Sequence, residues 1–335
     1  MARPKIRPVV WQPPTAPVRA RSRTGPRPVP AVRLIDVGAT GPEDVVIDAA
    51  GRIVTGLADG RVLRIDPDTS RVEQIADTGG RPLGIELLPD GRLLVCDCRR
   101  GLLAIDPADG ALEVLVERVG GQPMLFCNNA AIAADGTVYF SDSSRRFGID
   151  HWRAEMLEHS GTGRLLRRDP DGTVEVVLDG LEFANGVALA ADGSFVVVAE
   201  TGAYRLRRLW LTGERAGQVD SYADNLPGIP DNLSTGPGGL IWVALASPRD
   251  PRLDLLHPRH PSLRRAAWAL PQRWLPEHRT LWVQALDTTG TVVHDLQDRG
   301  RDYHMVTGVR EHGDRLYLGS LAERAVAVLT LPSPR

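Results

Sequence analysis

Six apolar segments of this chain run into a tight turn, and the residue eight places before the turn glycine distinguishes one copy from the next. Glu43 precedes Gly51 in EDVVIDAAG, Asn128 precedes Gly136 in NNAAIAADG, Asn185 precedes Gly193 in NGVALAADG, and Asp231 precedes Gly239 in DNLSTGPGG. LGIELLPDG puts Leu83 at the same offset, and VTGVREHGD puts Val306 or Thr307 there, depending on a one-residue gap. Each copy continues as short period-2 runs bounded by Gly, Asp and Pro, which is the signal of successive hairpins. The copies start near Glu43, Leu83, Asn128, Asn185, Asp231 and Thr307, mostly forty to fifty residues apart, the spacing of four-stranded propeller blades. A β-sandwich has no need to repeat one motif six times. The expected fold is all-β, a six-bladed β-propeller, in which equivalent inner-strand positions converge on the axis. Two carboxylates and two amides at one point form a hard-cation site. An all-oxygen ligand set favours Ca²⁺ over Zn²⁺.

The ring has to close. The last segment, DRLYLGSLAERAVAVLTLP, holds only about three strands, so residues 31–39 are expected to supply the missing outer strand by pairing with Ala325–Leu331. The propeller then occupies residues 31–335. Residues 1–30 differ in kind: Pro13, Pro14, Arg19, Arg21 and Arg23 are typical of them, and they hold no acid. Such a segment buries no core of its own and reads as an extended arm over the propeller, with Trp11 as an anchor. It lacks the interleaved aromatics of a nucleic-acid arm, and a formal net charge of −2 for the chain gives no general attraction to nucleic acid. No window of about 20 apolar residues marks a membrane span, and the N-terminus lacks the apolar run of a secretory signal. A cytoplasmic protein is expected. Three cysteines, Cys96, Cys98 and Cys127, form no disulfide framework and read as buried packing.

Two insertions break the rhythm, at about 145–163 and 247–280. The second mixes Leu255, Leu263, Trp268, Leu270, Trp274 and Leu275 with Arg252, Arg264, Arg265 and Arg273, and is broken by Pro258, Pro261, Pro271 and Pro276. This is the pattern of short amphipathic helices. Both insertions are expected to follow an inner strand and so to leave from one rim, forming a lid over the channel. Residues 247–280 also have the composition of a peripheral membrane contact.

FANGVALAADGSFVVVAETGAYRL at 183–206 is the most specific piece of a resemblance that covers roughly residues 40–332; GTVYFSDSSRRF, TGRLLRRDPDG and VREHGDRLYLGSL add to it. The chain resembles the strictosidine synthase-like branch of the superfamily that includes the SMP-30 gluconolactonases and the paraoxonases. The resemblance implies a six-bladed propeller with one divalent cation, usually Ca²⁺, on ligands that fall here on Glu43, Asn128, Asn185 and Asp231, with Asn232 as a neighbour. Departures from the family pattern narrow the chemistry. Strictosidine synthase carries a catalytic glutamate where Thr307 stands, and paraoxonases carry a histidine where Leu83 stands. SMP-30 enzymes have an arginine in the stretch that reads LFCNNAA here, with Phe126 and Cys127. A fairly apolar lactone or ester, as for an arylesterase, is the expected substrate, and Leu83, Phe126, Trp152 and Thr307 are expected to touch it. Asp231 is the expected general base, and His304, just before the sixth inner strand, is a second catalytic candidate, the nearest by position of the rim histidines His151, His159 and His304. No G-x-S-x-G elbow is present. The alternatives are non-hydrolytic chemistry of the strictosidine synthase type (cyclisation, isomerisation or C–C bond formation) and a non-catalytic Ca²⁺-stabilised interaction platform.

Overall fold

The computed structural model describes residues 3–271 and 279–331 and arranges them as six four-stranded antiparallel sheets, the blades of a propeller. The innermost strands are Val45–Ile47, Pro82–Leu87, Cys127–Ile132, Ala184–Leu189, Gly228–Thr235 and Val306–His312. Each is joined to the second strand of its blade by a tight turn. In blades 1 to 5 this turn ends in Gly51, Gly91, Gly136, Gly193 and Gly239, with φ of 77°, 89°, 87°, 71° and 79°. That left-handed conformation costs a residue with a Cβ about 1 kcal/mol, and so the glycine recurs. Because blades stack face against face, both faces of a second strand are buried. Phe195–Glu200 and Leu93–Asp97 are buried throughout their length, and they read as continuous apolar runs rather than alternations. Outer strands face solvent; Val72–Asp77 buries only Ala76 fully.

The cores therefore lie between blades. Val197, Phe195, Val243, Leu245 and Trp282 join blade 4 to blade 5, and Ile35, Val45, Ile53, Leu63, Tyr317 and Val326 join blade 6 to blade 1. Cys96, Cys98 and Cys127 are free thiols buried among apolar neighbours. No described helix is long and apolar enough to cross a membrane.

Blade 6 is closed by the N-terminal side of the chain. Arg33–Asp36 pairs antiparallel with Ala325–Thr330, from Arg33 opposite Val328 to Asp36 opposite Ala325. Ahead of this strand the chain runs beside the outer strand of blade 5. Arg27 bridges Leu296 in parallel register, and Arg19 pairs with Asp295 at 2.6 Å while its guanidinium sits 4.7 Å from the Trp282 ring centre. Residues 3–15 then cross the lid. Trp11 packs at a tilt against His159 with ring centres 4.2 Å apart, Val9 N–H donates to the Glu158 carbonyl at 2.8 Å, and Ile6 is buried with Phe147, Ala154 and Trp268. Deleting residues 1–40 is expected to abolish the single thermal transition of the ring, because blade 6 loses an edge and its partners in the blade 6–blade 1 core. Deleting residues 1–15 should leave the β-sheet circular dichroism signal and that transition in place while loosening the lid. An equal loss from both truncations would mean that the arm, and not the outer strand, closes the ring.

The lid consists of α1 (Trp152–Glu158), α2 (Pro251–Leu256) and α3 (Pro261–Ala269). Both insertions leave from the second strand of their blade, Val138–Asp142 and Ile241–Pro248, and not from the inner one as expected. The rim is the same for both, since both second strands run in the same direction in their blades. Asp250 caps α2 by accepting from Arg252 N–H at 2.8 Å. Arg264 of α3 is fully buried; its guanidinium donates to the Leu157 carbonyl at 3.0 Å and the Val9 carbonyl at 2.6 Å, tying α3 to α1 and to the arm. Arg273, Trp274, Leu275 and Pro276 lie outside the described residues.

Candidate active site at the floor of the channel

The residues singled out by the eight-residue offset sit where inner strands lose register with their neighbours. Pairing to the second strand shifts between Cys127 and Ala130, between Ala184 and Val187, between Pro230 and Leu233, between Pro82 and Ile85, and between Val306 and Gly308. A bulge frees a residue from the ladder and re-aims its side chain. Here Leu83, Asn128, Asn185, Asp231 and Thr307 all lie within such irregular stretches, and Glu43 lies just before Val45–Ile47.

The next residue in each blade explains how the strands come so close. It is Asp44, Gly84, Asn129, Gly186, Asn232 and Gly308 in turn, polar in odd blades and glycine in even ones. A Cβ on Gly84 would stand 2.7 Å from the Asn128 carbonyl oxygen, one on Gly186 2.4 Å from the Asp231 carbonyl oxygen, and one on Gly308 2.8 Å from the Glu43 carbonyl oxygen. Each even blade thus yields space for the site-bearing backbone of the next odd blade. Gly186→Ala is expected to cost about 1–3 kcal/mol, the usual range for overpacking, and to weaken cation binding by displacing Asp231. The check is a thermal melt and a Ca²⁺ titration beside Gly193→Ala, whose Cβ would meet nothing within 4 Å. If both variants bind Ca²⁺ like the wild type, the close approach does not set the site.

These bulges feed a cavity of about 470 Å³ under the lid, lined by Glu43, Asn128, Asn185 and Asp231 among others. The amides are held from behind. Asn128 Nδ2 donates to Ser143 Oγ at 2.8 Å, and that hydroxyl donates to the Ala184 carbonyl at 2.6 Å. The Asn185 amide bonds to the Asp231 carboxylate. Asn232 lies beneath the floor, its Nδ2 donating to both Glu43 carboxylate oxygens at 3.1 Å. Thr307 Oγ1 donates to the Glu43 carbonyl at 2.7 Å.

Electrostatically the floor is incomplete. Burial holds the Glu43 carboxyl well above the usual range, and Asp231 and Asp44 push it further. Burial pushes Asp231 up to about 7 against the hydrogen bond from Asn185, with Asp44 adding to the push. Asp44 is itself pushed to about 7 by burial, which Arg310 only partly offsets. Asn128 Oδ1 and Asn185 Oδ1 are buried without a hydrogen-bond partner. Orphaned buried acceptors are rare and costly. A divalent cation accepts all four oxygens and offsets the carboxylate repulsion, so the donor set fits one. No group of three or more His, Cys, Asp or Glu suited to a metal occurs among the described residues; half of this donor set is amide.

The walls are apolar. Leu83, Phe126, Met156 and Phe183 form a buried cluster with Ile149, Trp152, Ile229 and Leu253 packed on it, all lining the cavity. Phe126 and Phe183 meet edge to face at 5.4 Å. The sequence reading did not single out Met156 or Phe183, nor Asp44 and Asn129, which form a layer behind the floor: Asn129 Nδ2 donates to Asp44 Oδ2 at 3.1 Å. The signal for Asp44 and Asn129 was adjacency to the offset residues Glu43 and Asn128. Thr307 lines the cavity, whereas His304 is not among its described lining residues; Met305 is. His304 is buried, with its Nδ1 against the Glu323 carboxylate. His159 pairs with Glu182 at 2.7 Å beneath Trp11, a lid-arm contact.

The comparisons with known proteins agree with this architecture. Residues 128–214 match the strictosidine synthase family, and residues 31–65 match the strictosidine synthase-like N-terminal family. Protein STRICTOSIDINE SYNTHASE-LIKE 13 of Arabidopsis thaliana is 32% identical over 321 residues, which cover 87% of this chain and 78% of that protein. Adipocyte plasma membrane-associated protein of Rattus norvegicus is 33% identical over 331 residues, covering 90% and 86%. Among solved structures, a gluconolactonase from Xanthomonas campestris superposes with a TM-score of 0.67 at 20% identity, covering 98% of this chain and 99% of its own. The calcium-binding protein regucalcin from Agrobacterium tumefaciens gives 0.64 at 16% identity, with coverage of 90% and 94%. These two likenesses establish a shared fold.

Proposed function

The chain belongs to the strictosidine synthase-like family, and from that premise we propose that it is a divalent-cation-dependent hydrolase of a lactone or ester with an apolar body. The observation that carries the reading is the floor of the cavity: two carboxylates and two orphaned amide oxygens beneath apolar walls. Glu43, Asn128, Asn185 and Asp231 would hold a cation of the Ca²⁺ type. When bound, it supplies Lewis-acid polarisation of an ester carbonyl. Asn232 fixes the Glu43 carboxylate through both oxygens, and Asn128 is fixed through Ser143. Asp231 faces the cavity with its orientation held by Asn185, and it accepts the proton of the attacking water. Leu83, Phe126, Phe183 and Trp152 bind the apolar body and exclude other water.

The names of the structural neighbours, a gluconolactonase and a calcium-binding regucalcin, support hydrolysis and a cation. Condensation chemistry of the strictosidine synthase kind is disfavoured by Thr307, whose hydroxyl is spent on the Glu43 carbonyl where a carboxylate would be needed. The test is turnover of a panel of medium-chain lactones and aryl esters. Activity should disappear with EGTA and return with Ca²⁺. A protein that binds Ca²⁺ but turns over no member of the panel is not this hydrolase, and the platform or a non-hydrolytic reaction takes its place.

A further inference from the structure

A second cleft, of about 410 Å³, opens on the lid rim beside blade 4 and shares none of its described lining residues with the channel cavity. Its volume lies in the range of roughly 300–1,000 Å³ usual for small-ligand sites. Three parts of the chain wall it: Trp11 and Pro14 of the arm, His159 at the end of α1, and Glu182, Arg205 and Asp224 around blade 4. His159 is 5% exposed. Its Nδ1 stands 2.7 Å from Glu182 Oε2. A carboxylate only accepts, so Nδ1 carries the proton and, in the neutral ring, Nε2 is an acceptor. That Nε2 is buried without a hydrogen-bond partner among the described residues, a rare state for a buried polar atom. Glu182 spends Oε2 on His159 and on the Gly161 N–H at 2.9 Å, which leaves Oε1 without a donor among the described residues. Asp224 is exposed, and its carboxylate forms no hydrogen bond or ion pair with a described residue. The one guanidinium in the lining, Arg205, is paired with the fully buried Glu200. The cleft thus offers two carboxylates and an imidazole nitrogen beside an indole, with the charge of Arg205 already balanced.

We propose that this cleft binds a small organic ammonium ion, whose NH₃⁺ group meets Glu182, Asp224 and His159 Nε2 and whose apolar body packs on Trp11. An ammonium has three donors and no acceptor, which matches the unspent acceptors, and an indole face attracts it further. An anion would meet two carboxylates, and an alcohol has a single proton to donate. The site stands apart from the hydrolase reading and involves no turnover. Trp11 and Pro14 belong to the arm and the remaining walls to α1 and the ring, so a bound ligand ties the arm to the lid rim. The arm in turn holds α3, through the Val9 carbonyl that accepts from Arg264.

The experiment is isothermal titration calorimetry of the full chain, Ca²⁺-loaded, with benzylamine and with the near-isosteric benzyl alcohol. Benzylamine is expected to bind about tenfold more tightly. Asp224→Asn and Glu182→Gln should each weaken benzylamine by roughly three- to fivefold, the range of a partly exposed charged pair, and leave benzyl alcohol unchanged. Asp224 is exposed and unpaired among the described residues, so its substitution leaves the fold intact. Trp11→Ala should weaken both ligands. Bound benzylamine should also slow hydrogen exchange in residues 3–15, read by mass spectrometry. Equal affinities for amine and alcohol overturn the proposal, as does amine binding that leaves exchange in the arm unchanged. Binding that ignores Asp224→Asn and Trp11→Ala and is lost on Ca²⁺ loading overturns it too, since the amine would then sit on the channel floor. Nα-acetyllysine amide separates a free amine from a lysine side chain of another protein. It should bind more weakly than benzylamine because it brings no ring to Trp11, and tighter binding would give the cleft to a protein partner and overturn the assignment.

Discussion

Asp231→Asn reduces turnover of the best lactone or ester by about 10²–10⁴-fold, the usual contribution of a general base, while the ring stays folded. The substitution is close to isosteric. It keeps an oxygen facing the cavity and removes the group that takes the proton. It also removes one of two negative charges from the floor, so cation affinity falls in the same variant. The two effects separate if rates are measured at saturating Ca²⁺ with occupancy determined in the same preparation. A loss that saturating Ca²⁺ repairs makes Asp231 a ligand only. A loss that persists with the site filled assigns it the proton transfer. His304→Ala is the comparison. His304 is engaged with Glu323 and absent from the described lining, so its effect should be small and should come through stability.

Cation removal should make stability fall as pH rises, the opposite of ordinary acid denaturation. Glu43, Asp44 and Asp231 are all raised in the folded chain, the latter two to about 7, whereas in the unfolded chain they titrate near pH 4. Between these values the folded state binds more protons than the unfolded state, and stability therefore declines through that window. Below about pH 4 both states are protonated and the advantage is complete; above about pH 7 it is gone. Ca²⁺ reverses the order because it stabilises the ionised pair. At a thousandfold excess over Kd it should add roughly 4 kcal/mol, or about 5–10 °C in melting midpoint for a chain of this size. The measurement is differential scanning fluorimetry in EGTA and in Ca²⁺ at pH 5 and pH 8. The Ca²⁺ gain should be large at pH 8 and small at pH 5. A midpoint at pH 8 that is indifferent to Ca²⁺ would show that no cation binds these oxygens.

The ring was legible because its signals are local and repeated. A D-G or similar glycine turn, an apolar second strand and a polar outer strand are each written within a few residues, and six copies reinforce one another. The outer strand of blade 6 was legible by subtraction, since DRLYLGSLAERAVAVLTLP is one strand short. The gathering of Glu43, Asn128, Asn185 and Asp231 at one cavity follows from equal offsets in equivalent strands. What was not legible depends on contacts between distant segments. Period-2 patterning does not say which strand of a blade an insertion follows, and so the lid helices were assigned to inner strands when they leave the second strands. Arg264 reads as a polar-face residue in α3, yet it is buried because carbonyls of Leu157 and Val9, 107 and 255 residues away, complete its hydrogen bonds. Residues 3–15 read as an extended arm with Trp11 as anchor, but where the arm lies was not legible, because its partners, Glu158, His257 and Trp268, lie in the insertions. His304 was placed by its nearness to an inner strand; its side-chain direction is set by Glu323, which only the folded blade brings beside it.

The alternation of polar residue and glycine behind the floor imposes a parity on the whole molecule. Blades meet as lock and key, with Gly84, Gly186 and Gly308 as recesses and Asn129, Asn232 and Asp44 as the parts they admit. An even ring can satisfy this rule at every junction, and an odd ring cannot. Gain or loss of a single blade would set two recesses side by side, leaving a void at the axis, or two polar residues, which would collide there. The unit that can be duplicated, deleted or exchanged without breaking the axis is therefore a pair of blades. Seen this way, the chain is three modules of about ninety residues, each bringing its own half-built piece of the floor.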